Sequence, residues 1–316
     1  MTPIQAAFHL LSSNRLTILI FHRVLASPDP IFPDEPDAAR FDEMMGWIKS
    51  WFNVIPLDVA VDALKTGKLP ARAAAITFDD GYADNHDVAL PILQKHGLPA
   101  TFFIATGFLD GGRMWNDTII ESIRKCPMPV LDLEKLKMGC HEVANPERKR
   151  SVIENLISQI KYLSVAERLD RTEKIAEATQ IKPPNDLMMS SAQVRKLRNA
   201  GMQIGAHTVS HPILARTDIK TAQNEIISSK NMLEALLGEN VNLFAYPNGK
   251  PGIDYSIEHP ALVRELGFSA AASTAWGVTD TKSDLFQLRR FTPWSKTRIR
   301  FAMQMTRNFI RIGAEV

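Results

Sequence analysis

Three times along the chain a helix-patterned stretch ends at a glycine and an apolar run follows at once. Asn85–Lys95 leads through Gly97 to Ala100–Ala105, Ser191–Asn199 through Gly201 to Met202–Ala206, and Pro260–Leu266 through Gly267 to Phe268–Ala272. A glycine just past a helix takes the left-handed conformation that closes the last turn without steric penalty. A short apolar run bounded in this way reads as a buried strand. Parallel strands need a crossover, usually a helix, to bring the chain back. The repeated cadence therefore predicts an α/β fold with a parallel sheet. Thr17–Phe21, Ala74–Phe78 and Asn242–Ala245 add strands, with a further one near Asn53–Ile55 or Phe286–Leu288. Helical patterns at Phe41–Trp51, Leu57–Thr66 and Thr221–Leu237 fill the gaps.

The stretch over 113–187 breaks this rhythm. It is rich in Glu, Lys and Arg at helical spacing, as in Arg148–Leu156 and Val165–Ala178, and ends at Lys182-Pro183-Pro184. It reads as a helical insertion in one βα loop, either a solvated cap or a wall of a substrate cleft. The remainder of 1–316 reads as one domain, a length sufficient for a large α/β core.

Charge excludes some functions. Lys and Arg number 37 against 35 Asp and Glu, a net charge of +2, which argues against nucleic acid as the main partner. The only two cysteines, Cys126 and Cys140, make no disulfide framework. Ile4–Leu11 is short, interrupted by Gln5 and His9 and preceded by no basic residue, so it does not read as a signal peptide. No run reaches the length of a transmembrane helix. A cytoplasmic location is the resulting expectation.

Chemistry-bearing residues collect where strands should end. Thr77-Phe78-Asp79-Asp80-Gly81-Tyr82 closes the run Ala73-Ala74-Ala75-Ile76. Adjacent carboxylates raise one another's pKa unless a cation separates their roles. The pair reads either as a surface Asp-Gly turn or as a metal ligand beside a free base. His207-Thr208-Val209-Ser210-His211 follows Met202–Ala206, and a helical turn or tight loop there would set both imidazoles on one side. Two imidazoles and a carboxylate leave coordination open for water and substrate, as a catalytic metal requires. His22 and Tyr246-Pro247 also fall at strand C-terminal ends, the catalytic face of barrel-type β/α folds.

With these motifs the chain resembles the polysaccharide deacetylases of carbohydrate esterase family 4, the NodB-homology group, over about Leu16 to Trp294 apart from the insertion. The paired signatures Thr77-Phe78-Asp79-Asp80-Gly81 and His207-Thr208-Val209-Ser210-His211-Pro212 carry the resemblance. It implies an irregular (β/α) barrel of about seven strands and metal-dependent removal of N-acetyl, or O-acetyl, groups from a glycan or its lipid-linked precursor. It also implies Asp80, His207 and His211 as metal ligands, Asp79 as general base, and the Tyr82 backbone N–H at the oxyanion. The expected cofactor is one divalent metal, zinc by default, with cobalt, nickel or iron fitting the same ligands.

Two departures matter. Where relatives carry Leu-x-His with the general acid, this chain has Leu288-Arg289-Arg290-Phe291, and arginine gives up no proton at ordinary pH. Ile20-Phe21-His22-Arg23-Val24 resembles the strand end of exopolysaccharide-type members, whose histidine is the acid, so His22 takes that role here. The family's Arg-x-Pro-Tyr becomes Ala245-Tyr246-Pro247-Asn248. Arg290 then stands either as a replacement that orients the base or as a surface charge. Tyr246 joins the expected substrate and oxyanion contacts, and Trp276 is expected to wall the acetyl methyl or to pack in the core.

Competing readings are a C–N hydrolase of a small amide or imide and a non-catalytic carbohydrate-binding domain. Over 297–316, Arg298, Arg300, Arg307 and Arg311 alternate with Ile299, Phe301, Met305, Phe309 and Ile310. This amphipathic helix is expected either to touch an anionic membrane surface or a partner, or to pack on the barrel.

Overall fold

The computed structural model describes residues 3–293 and 295–310. Its sheet is built from β1 (Arg15–Phe21), β2 (Asn53–Val54), β3 (Ala73–Phe78), β4 (Thr101–Ile104), β7 (Gln203–Ala206), β8 (Leu243–Ala245), β9 (Ala270–Ala272) and β10 (Thr279–Asp280). The order is β10-β1-β3-β4-β7-β8-β9, with β2 paired to β3. All pairs are parallel except β1 with β10. Helices α1 (Pro3–Leu11), α2 (Ala38–Trp51), α3 (Leu57–Lys65), α4 (Leu90–His96), α8 (Ser191–Asn199), α9 (Ile219–Leu237), α10 (Glu258–Glu265) and α11 (Arg298–Ile310) complete the layer. Gly97, Gly201 and Gly267 all have the positive φ that the cadence requires, 65°, 84° and 80°.

Of the two places for a further strand, Asn53–Ile55 holds β2, and Phe286–Leu288 begins as a turn. Leu285–Gln287 is a 3₁₀ turn, capped by the Asp284 side chain. Extended pairing begins at Leu288, which bridges Ala272 of β9, and continues to Phe291, which bridges Leu19 of β1. Two backbone bonds fix each end: Leu288 N–H to Ala271 O at 2.8 Å with Ser273 N–H to Leu288 O at 2.9 Å, and Phe291 N–H to Ile18 O at 2.8 Å with Ile20 N–H to Phe291 O at 3.0 Å. Residues 288–291 thus join the last strand to the first and curl the sheet into an irregular barrel.

The interior is narrow because its lining is small. Ala73, Ala75, Ala245, Ala270 and Ala272 share one cluster with Leu16, Ile18 and Phe103, while the opposite faces of the strands pack Leu19, Ile76, Phe78 and Phe102 under the helices. Phe103 fits only because its neighbour on β7 is glycine: a Cβ on Gly205 would lie 2.4 Å from the Phe103 ring. Gly205→Ala is expected to destabilise the fold by about 1–3 kcal/mol, the scale of core overpacking, read by chemical denaturation. An unchanged midpoint would mean that Phe103 moves aside freely.

Between β4 and β7 lie α5 (Trp115–Lys125), the hairpin β5 (Val130–Asp132) and β6 (Cys140–Glu142), α6 (Pro146–Ile160) and α7 (Val165–Thr179). The hairpin corrects the purely helical expectation; three-residue strands are too short to leave a period in the sequence. Ile119, Ile123, Leu131, Ile153, Leu156 and Ile175 give this segment a core of its own. Cys126 is buried, Cys140 exposed, and both are free.

No described helix is long and apolar enough to cross a membrane. The apolar face of α11 is occupied: Phe301, Met305 and Phe309 are buried. Phe301 lies 5.6 Å from Trp47, and Phe309 lies 5.9 Å from Phe8, centroid to centroid. That face therefore packs on the barrel, one of the two expectations for this helix; Arg311 and the rest of 311–316 lie outside the described residues.

Candidate active site

Period two along the strands brings the polar ends together. Ala73, Ala75 and Thr77 point inward on β3, and the next residue of that row is Asp79. On β7 the row Gln203, Gly205 continues to His207. Asp80 leaves the strand with φ 76° and Gly81 follows with φ 90°, so the chain turns sharply and both carboxylates stay at the barrel mouth. Asp79 is 2% and Asp80 8% exposed.

His207 and His211 sit on a loop, not a helical turn. Thr208 and His211 both have positive φ, 65° and 52°. Glu225 of α9 holds this loop: one of its oxygens accepts from Val209 N–H at 2.9 Å and Ser210 N–H at 2.8 Å, and the other from the Ser210 hydroxyl at 2.7 Å. The Gly107 N–H donates to Val209 O at 2.8 Å. A Cβ on Gly107 would stand 2.7 Å from that oxygen, so the approach needs glycine. No sequence signal marks Glu225, since a glutamate inside a surface helix is ordinary.

Asp80, His207 and His211 offer ligand atoms that all lie within 4.8 Å of one another. Asp80 Oδ1 is 3.4 Å from Nε2 of each ring. Ligands about 2 Å from a tetrahedral ion are separated by ~3.3 Å, so this spacing fits a metal. The His207 Nδ1 faces Ala245 O at 2.7 Å, which places a proton on Nδ1 and turns Nε2 toward Asp80. Burial alone would raise the Asp80 pKa, but the hydrogen bond from His207 and the nearby imidazoles pull it well below the carboxylate range. Burial pushes His211 down to about 4, so its ring is neutral at pH 7. At His207 burial is outweighed by Asp80, and the pKa is raised. Metal binding at such a site releases a proton.

Arg290 is brought to the base. It is 1% exposed, and its two terminal nitrogens each lie 2.7 Å from a different oxygen of Asp79. Its Nε donates to Ser273 O at 2.8 Å, and one terminal nitrogen also reaches Thr77 Oγ1 at 3.3 Å. Residues 288–291 run between β9 and β1, and that pairing directs the guanidinium inward. The surface-charge alternative fails. Burial works to raise the Asp79 pKa, and the guanidinium overcomes it and holds the carboxyl below its usual value.

A cleft of about 250 Å³ opens over this group, lined by His22, Asp79, Asp80, His207 and His211 together with Asn248 and Thr274. Trp115, Lys161 and Arg168 line its other side, so the α5–α7 segment forms a wall. A second cleft of about 210 Å³ adjoins it at His22 and Asp80 and holds Tyr82, Asp117, Glu35 and Arg23. The Tyr82 backbone is flanked by bonds from Ala83 N–H to Leu187 O and from Met189 N–H to Gly81 O, and its hydroxyl donates to Asp117 Oδ1 at 3.1 Å. Burial pushes Asp117 up to about 7 against the pull of Arg23. Nothing in the sequence singled out Asp117, a lone acid in the first turn of a helix.

Two expected contacts are not brought to the cleft. The Tyr246 side chain is fully buried, stacked on Tyr255 at 3.9 Å and donating to Phe286 O at 3.0 Å, so it belongs to the core. Trp276 packs on Phe291 at 5.3 Å, away from the cleft lining.

The profile of the family described as polysaccharide deacetylase matches residues 66–145 and 161–271. The chain belongs to the polysaccharide deacetylase family. Members are hydrolases acting on carbon–nitrogen bonds, and the matched span contains the aspartate pair and both histidines. Among relatives of this deacetylase, YxkH of Bacillus subtilis is 19% identical over 278 residues, 87% of this chain and 70% of that one. The poly-β-1,6-N-acetyl-D-glucosamine N-deacetylase of Staphylococcus aureus is 23% identical over 173 residues, 53% of this chain and 59% of that enzyme. The Streptococcus pyogenes deacetylase PplD in complex with acetate shares the deacetylase's fold, with a TM-score of 0.62 at 18% identity, over 94% of this chain and 99% of that one.

Proposed function

We propose that this chain is a metal-dependent N-deacetylase of a polysaccharide rich in N-acetylhexosamine or of its lipid-linked precursor. The observation that carries the reading is a buried carboxylate, Asp79, clamped at both oxygens by Arg290 beside the Asp80, His207, His211 cluster. A carbohydrate-binding module needs neither the clamp nor a base. The staphylococcal relative, named for poly-β-1,6-N-acetyl-D-glucosamine, supports the substrate class.

Asp80, His207 and His211 would hold a divalent ion, zinc by the chemistry of the donor set, which would supply a Lewis acid to lower the pKa of water and polarise a carbonyl. Asp79 takes the proton of the attacking water. Each of its oxygens keeps a lone pair after accepting from Arg290, and the guanidinium fixes the carboxylate plane. The Tyr82 N–H donates to the developing oxyanion. His22, exposed at the end of β1 and lining the same cleft, donates a proton to the departing nitrogen.

Acetate release from β-1,6-linked N-acetylglucosamine oligomers, assayed after metal removal and again after zinc is restored, tests the function. Acetate appearing only after reloading is expected; none from any N-acetylated oligomer overturns the reading. The acid has its own test. An amide nitrogen leaves only when protonated, whereas an activated aryl oxide leaves as the anion. His22→Ala is expected to lower turnover on the amide by about 10²-fold or more and on an activated aryl acetate far less. Equal losses on both would remove His22 from the acid role and point to Asp117, which lines the adjoining cleft and whose pKa burial pushes up to about 7.

A further inference from the structure

The cleft wall made by the α5–α7 segment carries a buried cation that no carboxylate of the described residues answers. Arg168 of α7 is 4% exposed and lines the cleft. Its guanidinium lies over the Trp115 ring at 5.1 Å. Among the described residues the guanidinium makes one hydrogen bond, a long one of 3.5 Å to the Lys161 carbonyl, and its Nε has no partner. Among the described residues no carboxylate pairs with it. Arg290, the other buried arginine among the described residues, holds Asp79 at both oxygens. Burial lowers the Arg168 pKa and no acidic neighbour raises it again. Arginine nevertheless stays charged, so the site carries an unanswered positive charge.

Two more cations stand nearby, and among the described residues no carboxylate pairs with either. The Lys161 ammonium and the Arg216 guanidinium lie 5.5 and 5.7 Å from the Tyr162 ring, and Lys161 also lines the cleft. The wall that presents them is rigid. Ser164 and Glu167 form a reciprocal cap at the start of α7, and Ile153 and Leu156 of α6 and Ile175 of α7 share one apolar core with Ile119 and Ile123 of α5. Preorganised guanidinium groups of this kind suit planar or tetrahedral oxyanions.

We propose that this cleft selects acetylated sugars that carry an oxyanion, a carboxylate or a phosphate, on the acetylated residue or its immediate neighbour, with Arg168 as the specificity-determining residue and Lys161 as its support. The inference rests on the deacetylase reading and narrows its substrate. A carboxylate would come from a uronate-containing polymer, and a phosphate from a sugar joined to a lipid carrier.

Three tetrasaccharides decide it: neutral β-1,6-linked N-acetylglucosamine, the same oligomer with a reducing-end phosphate, and an alternating N-acetylglucosamine–glucuronate oligomer. The wild-type metal-loaded enzyme is expected to favour at least one anionic oligomer in kcat/KM on the order of tenfold to a hundredfold over the neutral one. Preference for the phosphate form identifies the lipid-linked source, and preference for the uronate form the acidic polymer. Arg168→Gln should bring the ratio close to one. Arg168→Lys should keep part of it, because the charge remains while the fork is lost. Lys161→Gln, at a less buried position, should shrink the ratio even if the Arg168 variants fold poorly. Equal turnover of neutral and anionic oligomers by the wild type overturns the inference, as does an equal loss on all three in Arg168→Gln. Absence of acetate from every oligomer sinks the deacetylase reading instead. Calorimetric binding of the same oligomers then still judges the cleft, and equal affinities for neutral and anionic forms reject the oxyanion site.

Discussion

Asp79→Asn is expected to keep its metal and lose turnover by ~10² or more, the scale of general base catalysis. The asparagine has the same shape but cannot take a proton from water. It also cannot accept from both arms of Arg290, since its amide nitrogen is itself a donor. The variant therefore leaves a buried guanidinium half-paired and should melt lower than the wild type, so activity must be read well below its melting temperature. Metal content and acetate release are the two measurements. A variant that loses metal and recovers activity in excess zinc would exchange the roles of Asp79 and Asp80. The pH dependence follows from the sign of the Asp79 shift. Its folded pKa lies below the ordinary carboxylate value because of Arg290, despite burial. The ionised pair thus adds stability that is fully present above the unfolded-state value of about 4 and is lost as pH falls through the folded pKa. The base stays ionised across neutral pH, and an acid limb in the rate profile should lie below the range of a free aspartate.

How the site was legible differs from residue to residue. Asp79 and His207 stand out because each lies one step past an apolar strand, where period two makes that step an address at the barrel mouth; Asp80 and His211 are legible through their spacing to these two, the adjacent carboxylate and the i, i+4 imidazole. His22 was readable for the same reason at the end of β1. Arg290 was half legible: its sequence neighbourhood showed a missing histidine, but nothing in Leu288-Arg289-Arg290-Phe291 says that this stretch closes the barrel between β9 and β1. That depends on pairing between segments about 270 residues apart, Leu19 with Phe291. Tyr246 misled for a related reason. Its position after β8 fits the mouth, but its ring turns back to stack on Tyr255, a packing choice that strand period does not specify. Glu225, Asp117 and Arg168 were not visible at all. Each sits in a helix among ordinary charged residues, and its importance arises only when another element folds against it.

His211→Ala is expected to remove both the metal and the activity while the barrel stays folded. Of the three ligands, His211 is the cleanest to remove. His207 is 1% exposed and hydrogen-bonded to the Ala245 carbonyl across the sheet, so its loss would disturb packing as well as ligation. Asp80 accepts from Ala105 through its backbone and shapes the turn after β3 with its positive φ. His211 instead stands on the loop held by Glu225, and its own backbone N–H donates to the Thr208 hydroxyl at 3.2 Å, a bond that alanine keeps. One carboxylate and one imidazole are too few to retain an ion that three ligands hold. The decisive readout is thermal. Zinc at about a hundred times its dissociation constant should stabilise the wild type by ~2.7 kcal/mol, through binding to the folded state alone. The same addition should leave the melting temperature of the His211→Ala protein where it was. Full metal content in that variant, or an undiminished thermal response to zinc, would take His211 out of the site and leave the ion to be held by other groups.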